Sequence, residues 1–192
     1  MGRRGLRVET REAVAQDAPF ITADPGHAPA DTPRGVEALT RRSRDGTWTK
    51  KLNRSYFGFK LSVKTDLRYG LIRAFRATTA SVHDSQVDLS RRGEAVYRDK
   101  GYFGVGASEG IRRHDAAWDE GRADRYLGRL RNTRISRKRA PIERTFSVLK
   151  RVFRAGHVLV TTVPRAKAKN MLSSCLCFNL MQMLTISKRV QV

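Results

Sequence analysis

The chain has 192 residues, which suits one domain, or one domain with appendages, and is long enough to bury a sizeable core. Lys and Arg number 39 against 18 Asp and Glu, a formal net charge of +21. That excess points to a polyanionic partner, because neutralising phosphates releases counterions whatever the base sequence. Anionic lipid ranks below nucleic acid, since no terminal segment joins a basic face to a broad apolar one.

Taken in order, residues 1–12 read as a basic N-terminal tail that lacks the apolar core of a secretion signal. Residues 13–22 suggest a short strand, although Pro19 inside it removes one ladder donor. Asp24-Pro25-Gly26 is a turn signal, and residues 24–55 read as a long basic loop. From Ser55 to Lys64, Phe57, Phe59, Leu61 and Val63 alternate with Gly58, Lys60, Ser62 and Lys64, the period of a half-buried strand with one polar face. Residues 71–79 supply its antiparallel partner. Ser81-Val82-His83-Asp84-Ser85 opens a short helix reaching about Arg92, with His83 and Asp84 read as capping residues. Residues 94–99 form another strand with Asp99 at its carboxyl end, where α/β sheets meet ligands.

Residues 105–136 show no clear period. Beyond them Ile142, Phe146, Leu149 and Phe153 recur at helical spacing behind Pro141, so an amphipathic helix is expected to start near Pro141. Glu143, Ser147 and Lys150 share a face beside that stripe. A short extended piece at 157–162 and a long helix at 165–186 close the domain, leaving 187–192 as a tail. The run 171–186 is broken by Ser173, Ser174, Asn179 and Gln182 and reads as a core helix rather than a membrane span. Cys175 and Cys177, two apart on that helix, point about 200° from each other, poor geometry for a shared metal or a disulfide and suited to reduced thiols in a cytoplasm.

Three acids fall on separate elements: Asp17 on the first strand, Asp99 at the end of a later one and Glu143 on a late helix. Such a trio can converge to hold two hard divalent cations, Mg²⁺ or Mn²⁺, which activate an attacking oxygen and stabilise a leaving one at phosphorus. Asp24 is the competing candidate for the first acid. A plain ion pair of Glu143 with Arg139 or Lys150 is the competing account of the third.

Five segments carry a family resemblance: Trp48-Thr49-Lys50-Lys51, Ser55-Tyr56-Phe57-Gly58-Phe59-Lys60-Leu61, Thr78-Thr79-Ala80-Ser81-Val82-His83-Asp84-Ser85, Val96-Tyr97-Arg98-Asp99-Lys100-Gly101-Tyr102-Phe103-Gly104 and Arg139-Ala140-Pro141-Ile142-Glu143-Arg144-Thr145-Phe146. In this order they resemble the catalytic domain of insertion-sequence transposases of the DDE type, in the branch with a short insertion before the Glu. The resemblance implies an α/β, ribonuclease-H-like mixed sheet flanked by helices over residues 13–186. It also implies metal-dependent DNA strand cleavage and strand transfer, with Asp17, Asp99 and Glu143 as catalytic metal ligands. The family pattern of Arg, three residues, Glu, six residues, Lys is met by Arg139, Glu143 and Lys150, so Arg139 and Lys150 are expected on the DNA backbone. Lys50, Lys51 and Arg144 in the same segments are further DNA-binding candidates.

Implied partners are double-stranded DNA and a second copy of the chain on that DNA, in the cytoplasm at the nucleoid, with no membrane. Two departures stand out: Ser136 lies where relatives commonly carry Tyr, and the chain starts almost at the catalytic core, without the usual amino-terminal DNA-recognition domain. The alternative is a non-enzymatic, basic DNA-binding remnant of a transposase.

Overall fold

The computed structural model describes residues 13–25, 44–51, 53–99, 102, 111–114 and 124–190. The expected tail at 1–12, most of the expected basic loop and much of 103–123 lie outside the described residues. Among the described residues eight strands form one sheet: β1 (Ala13–Asp17), β2 (Phe20–Ala23), β3 (Thr47–Lys51), β4 (Arg54–Asp66), β5 (Ile72–Thr79), β6 (Ala95–Arg98), β7 (Ile111–His114) and β8 (His157–Val158). The sheet is mixed. β1 lies antiparallel to β4 and parallel to β6, β6 is parallel to β7, and β5 runs antiparallel along the other edge of β4. Helices α1 (Asp124–Arg151), α2 (Val163–Ala168) and α3 (Cys177–Val190) complete the fold, with a π-helical segment, Lys169–Leu176, joining the last two. A mixed sheet with helices is the architecture expected of a ribonuclease-H-like domain.

β4 organises the sheet. Its 13 residues pair with β1 and β2 along one edge and with β3 and β5 along the other. Gly58 sits where β2 and β3 both face it, and a Cβ there would come within 2.1 Å of the Ile21 carbonyl oxygen, so only glycine lets the strands close. The expected hairpin of β4 and β5 is present, with Phe57, Phe59, Leu61 and Val63 all buried. The expected polar face is not solvated, however: Ser62 and Lys64 are buried too. A buried ammonium needs a counter-charge, and Lys64 Nζ donates to both carboxylate oxygens of Glu94, at 2.7 and 2.9 Å.

The two faces of the sheet therefore differ. On one, Ala15, Phe59, Leu61 and Val63 pack with Ile142, Phe146 and Leu149 of α1 and with Cys175 and Phe178 nearer the C-terminus. On the other, Gln16, Lys64, Glu94 and Arg98 make a buried polar layer.

Several expected elements differ in extent. Residues 13–22 make two strands, because Pro19 interrupts the first run, yet its carbonyl still accepts from the Leu61 amide at 3.1 Å and keeps the chain on β4. Thr47–Lys51, expected in a loop, pairs with β4 as a strand. The segment after Ser81 forms only a single 3₁₀ turn, Asp84–Gln86, capped by His83.

α1 begins at Asp124, well before Pro141, and continues through it. Ile135, Arg139, Ile142, Phe146 and Leu149 form one buried stripe across the proline, so packing on the sheet outweighs the amide hydrogen bond that Pro141 cannot make. The last helix runs to Val190 rather than 186. Asn179 both accepts from the Ile72 amide and donates to the Ile72 carbonyl, and Gln182 donates to the Tyr69 carbonyl, so its polar residues fasten it to the β4–β5 hairpin. It is only half a core helix, since Leu180, Met183 and Leu184 are exposed. Cys175 is buried and Cys177 exposed, as their helical spacing requires, and burial pushes the Cys175 thiol up to about 12. Among the described residues no helix is long and apolar enough to cross a membrane.

Candidate active site

Three elements bring the acids together. The parallel register of β1 on β6 matches Ala13 with Ala95, Val14 with Val96 and Ala15 with Tyr97, and its continuation sets Asp17 beside Asp99 at the carboxyl ends of both strands. Alternation along a strand then turns both carboxylates toward the face covered by α1. From α1, Arg139 and Glu143 stand one turn apart on the same side of the helix.

Arg139 is the centre of the arrangement. Its Nη1 lies 3.2 Å from Asp99 Oδ1, and its Nη2 lies 3.8 Å from Asp17 Oδ2 and 4.0 Å from Glu143 Oε1. Those last two distances cap the gap between the Asp17 and Glu143 oxygens at about 8 Å. The guanidinium is nearly buried, whereas the acids grade outward, their side chains 26% exposed at Asp17, 51% at Asp99 and 70% at Glu143. Pairs this long and this open contribute about 0–1 kcal/mol each, so the arginine offsets part of the cluster's negative charge without locking it.

Asp17 carries a shifted acidity. Burial raises its pKa above the ordinary 3.8, and the charges of Asp99 and Asp84 push the same way. The hydrogen bond from the Ala18 amide to Oδ1, at 2.8 Å, and the charge of Arg139 oppose that rise. Asp84 thus adds to the negative potential although sequence reasoning treats it as a cap; its own carboxylate pairs with Lys60 at 3.0 Å. Its signal was its place in the Thr78–Ser85 segment beside His83, which does accept from the Ser85 amide as a capping residue should.

The donor set is three carboxylates, the hard oxygens that Mg²⁺ and Mn²⁺ prefer. In the present arrangement no three such side chains among the described residues enclose a single ion, because Arg139 stands between them. The chemistry of the donors fits a divalent cation, and the cationic guanidinium marks where positive charge is already accommodated.

The other expected residues are distributed unevenly. Lys150 follows Glu143 by seven residues, two turns and about 10 Å along the same exposed face of α1. Arg144 is also exposed on this helix. Lys50 and Lys51 are exposed but distant: Lys50 pairs with Ser55 on β4 whereas Asp17 pairs with Val63, about 26 Å away at roughly 3.3 Å per residue. Asp24 follows the end of β2, on the stretch of β4 leading away from Asp99, while Arg139 reaches Asp17. Trp48 packs edge-on against Phe57 yet remains 54% exposed.

A family model described as the transposase DDE domain matches residues 10–180. The transposase for insertion sequence element IS1106 of Neisseria meningitidis serogroup B is 26% identical over 196 aligned positions, spanning 93% of this chain and 67% of that protein. No solved structure gives a significant match. With the family model extending over most of the sequence and a mixed, helix-flanked sheet beneath it, the chain belongs to the transposases of insertion sequences that carry a DDE domain.

Proposed function

We propose that this domain cleaves DNA strands and joins the resulting 3′-hydroxyl to a new phosphate, with Asp17, Asp99 and Glu143 as the catalytic acids. The observation that carries the reading is the meeting of three carboxylates from two strand ends and a helix around one guanidinium. Divalent cations, when bound, would supply activation of the attacking oxygen and charge stabilisation of the leaving one. Asp17 and Asp99 would hold them from the sheet and Glu143 from the helix, the acid with the most solvent-open side chain of the three. Arg139 offsets part of the acids' charge before they are engaged and, displaced from them, can pair with a DNA phosphate, to which a guanidinium binds in a fork.

Lys150 and Arg144 extend the positive face of α1 along the backbone of the same duplex, and Lys50 and Lys51 extend DNA binding to a remote edge of the sheet. A second copy of the chain would hold the other element end. The separation of roles makes the test direct. Asp99→Asn is expected to abolish Mg²⁺-dependent nicking of supercoiled DNA while leaving salt-sensitive DNA binding within about twofold, since phosphate contacts rather than the acid carry affinity. The net charge of +21 favours one other reading, a binding protein without catalysis. Tight DNA binding with no nicking by the unmutated chain in Mg²⁺ or Mn²⁺ would establish it.

A further inference from the structure

Gln16 and Arg98 immediately precede Asp17 and Asp99, and the β1–β6 register places them side by side on the opposite face of the sheet. Both are buried, at 0% and 2% exposure. Arg98 donates to Gln16 Oε1 from Nε at 3.1 Å and from Nη2 at 2.8 Å, and its Nη2 also pairs with Asp88. Gln16 Nε2 donates to the Val87 carbonyl at 2.6 Å, and its Oε1 accepts from the Leu89 amide at 3.3 Å. The Tyr102 ring lies under the guanidinium at 5.3 Å, just beyond Asp99 in the chain. One amide therefore joins the ends of two strands and the segment after the 3₁₀ turn, directly behind the two aspartates.

We propose that Gln16 and Arg98 are positioning residues that set the spacing of Asp17 and Asp99 from behind. Parallel neighbours are held at about 4.8 Å only while their ladder is intact. At the last residues of β1 and β6 the ladder runs out, and Asp17 is followed by a non-strand Ala18-Pro19 step. The side-chain link takes over where backbone pairing stops. Arg98 is suited to it because a planar fork reaches Gln16 and Asp88 together, whereas a lysine ammonium on a flexible stem would not fix both. The contacts of Gln16 and Arg98 run to Val87, Leu89, Asp88 and each other, so the link holds geometry without competing for the acids.

This inference rests on the proposed catalytic role of the two aspartates. Its test compares Gln16→Leu, which removes the link, with Gln16→Glu, which keeps an oxygen acceptor for Arg98. Mn²⁺ binding is titrated by paramagnetic resonance without DNA, nicking is measured at saturating DNA, and folding is followed by circular dichroism. Gln16→Leu is expected to weaken Mn²⁺ affinity and slow nicking by about 10–100-fold, as loss of an outer-sphere partner does, with Gln16→Glu recovering most of both and DNA binding unchanged in either. Should Gln16→Leu fail to fold, Asp88→Asn loosens the same guanidinium from its other side and is expected to shift the Mn²⁺ midpoint in the same direction.

A folded Gln16→Leu, or in its place Asp88→Asn, with wild-type Mn²⁺ affinity and nicking overturns the positioning role alone. Absence of both signals in the unmutated protein instead overturns the catalytic reading on which it rests.

Discussion

Arg98 and Arg139 face each other across the ends of β1 and β6, and they are held differently. Arg98 is bound by a buried amide at hydrogen-bonding distance and by a carboxylate, and its own side chain is buried in a polar layer. Arg139 touches three carboxylates at 3.2 to 4.0 Å, two of them largely open to solvent. The first is fixed because a buried charge stripped of its partners is costly; the second can exchange them, because solvent screens and replaces what it loses. The proposed reaction, which takes up cations and a phosphodiester, calls for both properties, a rigid back and a yielding front.

The largest expected effect lies at the rigid end. Arg98→Met leaves Asp88 and the Gln16 amide without their charged partner and is expected to lower stability by about 3 kcal/mol, read from urea unfolding. Arg139→Met should cost far less, about 1 kcal/mol at low salt without divalent ions, and the deficit should vanish when millimolar Mg²⁺ is added. Equal losses for the two arginines would erase the distinction drawn between the faces.

Asp17 sharpens the contrast in the opposite direction. Its pKa is raised in the folded protein, so folding binds a proton more readily than unfolding does, and its ionisation removes stability as pH climbs from about 3.8 through the folded value. Asp17→Asn is therefore expected to melt higher than the parent at neutral pH in the absence of metal, with the difference shrinking as pH falls through the folded value toward 3.8 and gone below it. Thermal melts at several pH values check this, and an advantage that grows in acid would refute it. The smallest effect belongs to the remote basic edge. Lys50→Ala and Lys51→Ala should each reduce the slope of log binding constant against log salt by about one, without changing the nicking rate at saturating DNA.

Much of the fold could be read from periodicity. Alternation from Phe57 to Val63 reports a strand because one of its faces meets an apolar core. The same reasoning misplaced Lys64, since a buried ion pair with Glu94 leaves no mark in the local pattern. The first half of α1 was illegible for a related reason: it is rich in arginine, and among its described side chains only Ile135 and Arg139 continue the stripe that becomes obvious after Pro141. Of the candidate site, the three acids now near Arg139 could be singled out because strand ends and helix faces follow from spacing, and the family resemblance selected among them. Gln16 and Arg98 stood next to two of those acids and were not singled out. Their contact comes from the parallel register between strands about eighty residues apart, which no local window contains.

Crystals soaked in Mn²⁺ offer the most direct test of the acid cluster. Anomalous difference density between the carboxylates of Asp17 and Asp99, with Glu143 within coordinating reach and absent from Asp99→Asn crystals, is the predicted result. Manganese bound elsewhere, with Arg139 still seated among all three acids at saturating metal, would contradict the account.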